Sequence, residues 1–315
     1  MSNIFKTFAL QMLRDEGIDV KKSGEIYYGD KNFILPVLVD EGIFYFKFFM
    51  DPIEEHIEAE VSVVEYLKEN GIEVPDFYCK DNKKIFYSGE NMPFKTIFYA
   101  SKHVNADKDK EHEMSTEEAE DIIKNIARMH LKLKKFDKSS VKIDKTTDYQ
   151  RLIQLYIDKK DLCDERNISE KIERVIEYGT DKVETYPIHS DLHSANIMMK
   201  NGKFKSFIDF SDVRDSYFED DLGKFFQNLL GSKGVKMLEI HRLIAIYEQE
   251  TGITLSRKNI YTSTIYRIMD RYFWKLSRGV RDTDYDIKIN GIIEDLIHEL
   301  EKIDREIKDN DKERE

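Results

Sequence analysis

Asn201-Gly202 stands between two apolar runs, Ile197-Met198-Met199 and Phe204 to Ile208. A two-residue type I′ turn needs a positive φ at both central positions, which Gly adopts freely and Asn tolerates, so this dipeptide predicts a tight β-hairpin. The turn also sets a register, pairing Lys200 with Lys203, Met198 with Lys205 and Asn196 with Phe207. Residues outside the two strands then meet at one end of the hairpin. They are Asn196 before the first strand and Asp209 after the second, with Asp191 slightly upstream. An amide oxygen and two carboxylates at a hairpin mouth suit a hard divalent cation and a hydroxyl nucleophile.

The wording around the hairpin is His189-Ser190-Asp191-Leu192-His193-Ser194-Ala195-Asn196, then Ile208-Asp209-Phe210. It resembles the aminoglycoside phosphotransferase and choline kinase branch of the protein-kinase-like superfamily. The resemblance implies a two-lobed α+β fold: a small antiparallel-sheet N-lobe over residues 1–101 and a large, mostly helical C-lobe over residues 102–315. It implies that Asp191 orients the acceptor hydroxyl and that Asn196 and Asp209 hold Mg2+. The co-substrate would be ATP or GTP, and the acceptor a small molecule. Only eleven residues separate Asp209 from Asp221, too few for a protein kinase's activation segment, so no platform for a peptide is expected. Three departures stand out. Ser190 replaces a Gly common in the family, no Gly-rich phosphate loop precedes Lys47 beyond Gly24 and Gly29, and the family's Gly-Asp-Pro before Asp221-Leu222 is missing.

Other chemistries fit parts of the same stretch. His189, Asp191 and His193 alternate as ligands on one face of a strand would, which suits Zn2+ and a hydrolase but leaves Asn196 and Asp209 without a role. A chain that keeps the fold as a non-catalytic scaffold, like some spore-coat relatives, is a further possibility. The filled Asp191, Asn196, Asp209, Lys47 and Glu60 positions weigh against it.

Upstream, residues 3–16 read as an amphipathic helix. Strands follow at Ile26–Tyr28, Phe33–Val39 and Ile43–Phe49, then at Phe77–Tyr87 and Phe94–Tyr99, five in all. Lys47 is the only charge in Ile43-Phe44-Tyr45-Phe46-Lys47-Phe48-Phe49, so its ammonium needs water or a buried partner. The resemblance makes it the Lys on the nucleotide phosphates. Asp51-Pro52 reads as a helix start and Asn70-Gly71 as its end. On that helix Glu60 lies beside the apolar stripe and is the expected partner of Lys47, with Glu54 and Glu58 as competitors. Tyr99 and Ser101 fall at the crossing to the second lobe, where superfamily backbone groups meet the adenine edge. From Ser115 the chain is mostly helical, and His130 and His193 read as packing residues.

With 315 residues, 40% of them apolar, the chain can bury a large core. No apolar run spans a membrane, and the first residues lack a signal-peptide pattern. Cys79 and Cys163 form no metal or redox spacing, and a reducing cytoplasm is the expected setting. A net charge of −12 argues against nucleic acid as a partner. Charge gives conflicting hints about the acceptor. Six acids fall between Asp209 and Asp221 and would attract an amine. Arg267, Arg271, Lys275 and Arg278 fall on one helix face and would attract an anion. Tyr266, Tyr272, Phe273 and Trp274 lie beside that stripe. They fit an aromatic box for a quaternary amine, although core packing is the simpler role.

Overall fold

A computed structural model describes residues 2–29, 32–50, 53–88, 95–107, 114–231, 235–280 and 283–312. Helix α1 (Ser2–Asp15) leads into the short strands β1 (Lys22–Ser23) and β2 (Tyr27–Tyr28), then β3 (Asn32–Val39) and β4 (Gly42–Met50). Helix α2 (Glu54–Glu69), β5 (Phe86–Tyr87) and β6 (Thr96–Lys102) complete this part. The six strands form one antiparallel sheet, ordered β1-β3-β4-β6-β5, with β2 also on β3.

Strand β4 is central, and its alternation sorts its side chains. Phe44, Phe46 and Phe48 are buried with Phe33, Leu35, Phe98 and residues Ala9 and Leu13 of α1. Tyr45, Lys47 and Phe49 take the opposite face, where Phe49 packs near Ile57 of α2, Ile97 and Tyr99. Lys47 therefore points toward α2 and the second lobe. The other side of α2, through Ala59, Val63, Val64 and Leu67, joins the large core of the helical half, so α2 is packed between the two lobes.

The helical half contains α3 (Thr116–Leu133), α4 (Asp148–Asp158), α5 (Lys160–Glu165) and α6 (Ser169–Tyr178). Strand β7 (Tyr186–Ile188), the hairpin β8 (Ile197–Lys200) and β9 (Lys203–Phe207), and β10 (Arg214–Ser216) follow. Helices α7 (Phe218–Gly231), α8 (Met237–Thr251), α9 (Arg257–Ser277) and α10 (Thr283–Lys312) close the chain. Ser115 starts α3 with a capping box, its hydroxyl accepting from the Glu118 N–H while the Glu118 carboxylate accepts from the Ser115 N–H.

The structure corrects three local expectations. The hairpin turns at Asn201 (φ 51°) and Gly202 (φ 67°), and Lys200 pairs with Lys203, but a bulge after Met198 shifts the rest by one. Met198 pairs with Ser206 rather than Lys205, and Ile197 rather than Asn196 faces Phe207. Helix α2 begins at Glu54, with Ile53 at its N-cap and no side-chain cap, later than Asp51 and Pro52, which lie outside the described residues. The expected strand over Phe77–Tyr87 is reduced to Phe86–Tyr87 and isolated bridges. Asp81 (φ 52°) and Asn82 (φ 61°) turn the chain between Lys80 and Lys83 and interrupt it.

Candidate active site

The hairpin and its flanks form one excursion whose base is a short ladder. Arg214 pairs with Ile188, and Ser216 pairs with Tyr186, so residues 189 and 213 leave and return at the same place. Asp221, in the first turn of α7, clamps this base. Its carboxylate accepts from the backbone N–H of His189 (2.9 Å) and of Ser190 (2.5 Å), and from His130 Nε2 (3.0 Å). Burial alone would raise the Asp221 pKa. The His130 bond, nearby positive charge and the backbone bond to His189 instead hold it below the usual range. His130 is buried, bonded on its other nitrogen to the Tyr247 hydroxyl (2.8 Å) and stacked on Phe218, so it packs and clamps without reaching a substrate cleft.

Asp191 follows directly. Its Oδ2 accepts from Asn196 Nδ2 (3.1 Å) and pairs with His193 Nε2 (3.2 Å), and its Oδ1 pairs with Lys224 Nζ (2.9 Å). Burial opposes ionisation here, but the His193 bond and the Lys224 charge outweigh it and hold the carboxyl far below the usual range. Asn196 also donates to the Asp191 carbonyl (3.0 Å). Both contacts use its amide nitrogen, so its amide oxygen is the atom that could ligate a metal.

Asp209 lies on the other side of the hairpin mouth with φ 60°. It pairs with Lys47 Nζ (2.7 Å) and accepts from Ser211 Oγ (2.7 Å). Lys47 is 6% exposed, and Asp209 is its direct counter-ion. The expected Lys47–Glu60 ion pair is therefore corrected. Glu60 is buried (3% exposed) and its charge acts on Lys47, but the direct bond goes to Asp209. Glu54 instead bonds the Tyr87 hydroxyl. Burial raises the Glu60 carboxyl to about 7, helped by the Asp209 charge and opposed by Lys47 and the Tyr99 hydroxyl.

Tyr99 stands opposite Lys47 in the sheet, buried beside Glu60 and Ile57. Its side chain therefore belongs to the Lys47–Glu60 cluster and not to the crossing, because alternation turns it to the face that Lys47 shares. Ser101 is nearer the crossing, pairing with Tyr45 and bridging to Phe77.

A zinc site at His189, Asp191 and His193 does not form. His189 donates from Nε2 to the Ile208 carbonyl and accepts on Nδ1 from the Asp191 N–H. His193 accepts on Nδ1 from the Ala195 N–H and engages Asp191 through Nε2. Neither ring has a nitrogen left for a metal. Among the described residues no three His, Cys, Asp or Glu side chains come together as a metal cage. Asn196 and Asp209 instead offer two oxygens from either side of one mouth, a donor set that suits an ion sharing its shell with water and phosphate oxygens.

The sequence matches the model of the phosphotransferase enzyme family over residues 37–252. The chain belongs to this family. Its fold is that of aminoglycoside phosphotransferases and choline kinases. An amicoumacin kinase solved with AMP-PNP and Ca2+ superposes with a TM-score of 0.70 at 15% identity, covering 95% of this chain and 96% of that one. A microcompartment-associated aminopropanol kinase gives 0.64 at 13% identity, with 94% and 97% covered. Choline kinase from Cryptosporidium parvum gives 0.60 at 14% identity, with 96% and 97% covered. No curated protein matches the sequence.

Within this phosphotransferase one departure from the family wording, Ser190, has a visible local setting. Ser190 occupies the left-handed region (φ 69°), where Gly is the easy residue, and its Oγ accepts from Arg267 Nη2 (3.3 Å). Arg267 is buried and donates from Nε to Asp148 (2.7 Å), which Arg214 also meets. Most of the charges expected to select the acceptor are thereby engaged internally. Asp215 holds Lys138, Glu219 accepts from the Ser256 N–H, Asp220 accepts from Ser216 and the Asp148 N–H, and Asp221 clamps the loop. Arg278 stacks on Trp274 and Lys275 on Tyr285, while Tyr266, Tyr272 and Phe273 are core. No aromatic box forms there.

Two charged groups of α7 and α9 escaped the sequence reading. Lys224 lies one turn beyond Asp221 on α7, and the i, i+3 step that puts both on one helix face was the available signal. Asp270 of α9 is exposed, yet set deep enough that burial raises its pKa, opposed by Arg267 and Lys224. It makes no hydrogen bond or ion pair with a described residue.

Proposed function

We propose that this protein is a small-molecule kinase that transfers the γ-phosphoryl group of ATP or GTP to a hydroxyl of a small, amine-bearing acceptor of aminoglycoside-, choline- or sugar-like type. The observation that carries the proposal is the hairpin mouth, where Asp191 with its bonded Asn196 and Asp209 with its paired Lys47 converge. Phosphoryl transfer asks mainly for positioning and charge neutralisation. Lys47 would meet the nucleotide phosphates, backed by Glu60 and Tyr99, and Ser101 lies toward the purine end. Mg2+, held by the Asn196 amide oxygen and Asp209, would neutralise phosphate charge when bound. Asp191 is ionised throughout the neutral range and would orient the acceptor hydroxyl. As the acceptor oxygen bonds to the γ-phosphorus, the bond to the β–γ bridging oxygen breaks and its electron pair leaves with the nucleoside diphosphate. The hydroxyl proton passes to Asp191 and then to water. The Asp270 carboxylate would favour an ammonium on the acceptor.

A thermal-shift screen of ATP and GTP with Mg2+, followed by an acceptor screen read as nucleoside diphosphate release, tests this. Mg2+-dependent nucleotide stabilisation and acceptor-dependent release are expected. Nucleotide binding without turnover across hydroxylated amines and sugars would favour a non-catalytic scaffold. No nucleotide binding would overturn the kinase assignment.

A further inference from the structure

Among the described residues Lys224 is the lysine bonded to the acceptor-orienting carboxylate, and nothing in the family wording around Asp221-Leu222 calls for it. It approaches from α7, a different element from the loop that carries Asp191. The pair is short, at 2.9 Å, and neither partner is sealed off: the Lys224 side chain is 18% exposed and that of Asp191 is 25%. A lysine tied to a carboxylate at a wet cleft gains little stability by that bond alone. Its geometric effect is larger. Asp191 Oδ2 is already held by Asn196 and His193, and Lys224 takes Oδ1, so both oxygens are fixed and the carboxylate plane is set.

Each carboxylate oxygen accepts about two hydrogen bonds, so Oδ1 retains a lone pair for an incoming hydroxyl. The groups facing Asp191 are Lys224 from α7 and His193 and Asn196 from its own loop. The Lys224 ammonium also acts on the Asp270 carboxyl of α9.

We propose that Lys224 is a positioning residue for phosphoryl transfer, holding the Asp191 carboxylate, through Oδ1, in the orientation that receives the acceptor hydroxyl. This rests on the kinase assignment above. Without Lys224 the carboxylate can rotate about its χ2 and swing away from the attack line, and misplacement of about 1 Å at a reacting centre can lower turnover about 10²-fold. The loss should appear in kcat and not in the nucleotide KM, because Lys47 and Asp209 are on the other side of the mouth.

The test compares wild type, Lys224→Met and Lys224→Arg in Mg2+-dependent nucleoside diphosphate release at neutral pH, with an acceptor found by the screen and with water alone. Lys224→Met should lose about 10²-fold in kcat and keep its nucleotide KM. Lys224→Arg should recover most of kcat. Equal kcat in Lys224→Met overturns the proposal while the kinase assignment stands. Equal losses of kcat in both variants, matched by a lower melting temperature, also overturn it, because they mark a structural role. A wild type that binds nucleotide but never releases diphosphate overturns both assignments together.

Discussion

Glu60 offers a measurable consequence of burying an acid beside Lys47. Its carboxyl rises from 4.5 to about 7, with burial as the largest cause. At about 1.36 kcal/mol per pH unit, that gap amounts to about 3 kcal/mol. The sign follows from proton binding. Between pH 4.5 and 7 the folded protein holds the Glu60 proton more tightly than the unfolded chain does, so the unfolded state binds fewer protons and stability falls as pH rises. The contribution is fully present below pH 4.5 and is lost once pH passes 7. Glu60→Gln keeps the shape and removes the titration. Urea unfolding of both proteins, free of nucleotide, at pH 5, 6, 7 and 8 isolates the effect, because the other titrating groups cancel in the difference. Relative to Glu60→Gln, wild type should lose stability progressively across that range, approaching about 3 kcal/mol. A difference constant with pH would mean that Glu60 is ionised at every pH tested and that Lys47 serves both Asp209 and Glu60 in the free protein.

Other consequences follow from the same geometry. Asp191→Asn should bind nucleotide normally and lose about 10²-fold or more in turnover, checked by steady-state kinetics beside a nucleotide-binding isotherm. Asp209→Asn should abolish the Mg2+-dependent part of nucleotide stabilisation in a thermal-shift assay, since it removes a ligating carboxylate and the counter-ion of Lys47. Arg267→Met leaves the fully buried Asp148 with Arg214 as its only nearby cation and should destabilise the fold by about 3–5 kcal/mol in denaturant titration. A loss under 1 kcal/mol would show that Asp148 takes up a proton without strain.

What could be read from the chain alone is what local chemistry dictates. Asn201-Gly202 specified a turn because few dipeptides accept two positive φ angles. The alternation around Lys47 put a lone charge on one sheet face. The spacing from Asp191 to Asn196 and on to Asp209 identified the mouth of the hairpin and the family. The register beyond the turn was not readable, because a turn fixes only the pairs next to it and the bulge after Met198 interrupts the ladder further along.

The tertiary structure decided how the charges are shared. Glu60 is buried beside Lys47, yet the direct partner of Lys47 lies 162 residues away on the hairpin mouth. Arg267 and Asp220 looked like rival acceptor-binding groups and turned out to be buried around Asp148. Lys224 and Asp270 gained their place only when α7 and α9 packed beside the loop that begins at His189. A residue's propensity is local, but the field a charge feels is set by whatever the fold brings within a few ångströms, and linear spacing carries almost no record of that distance.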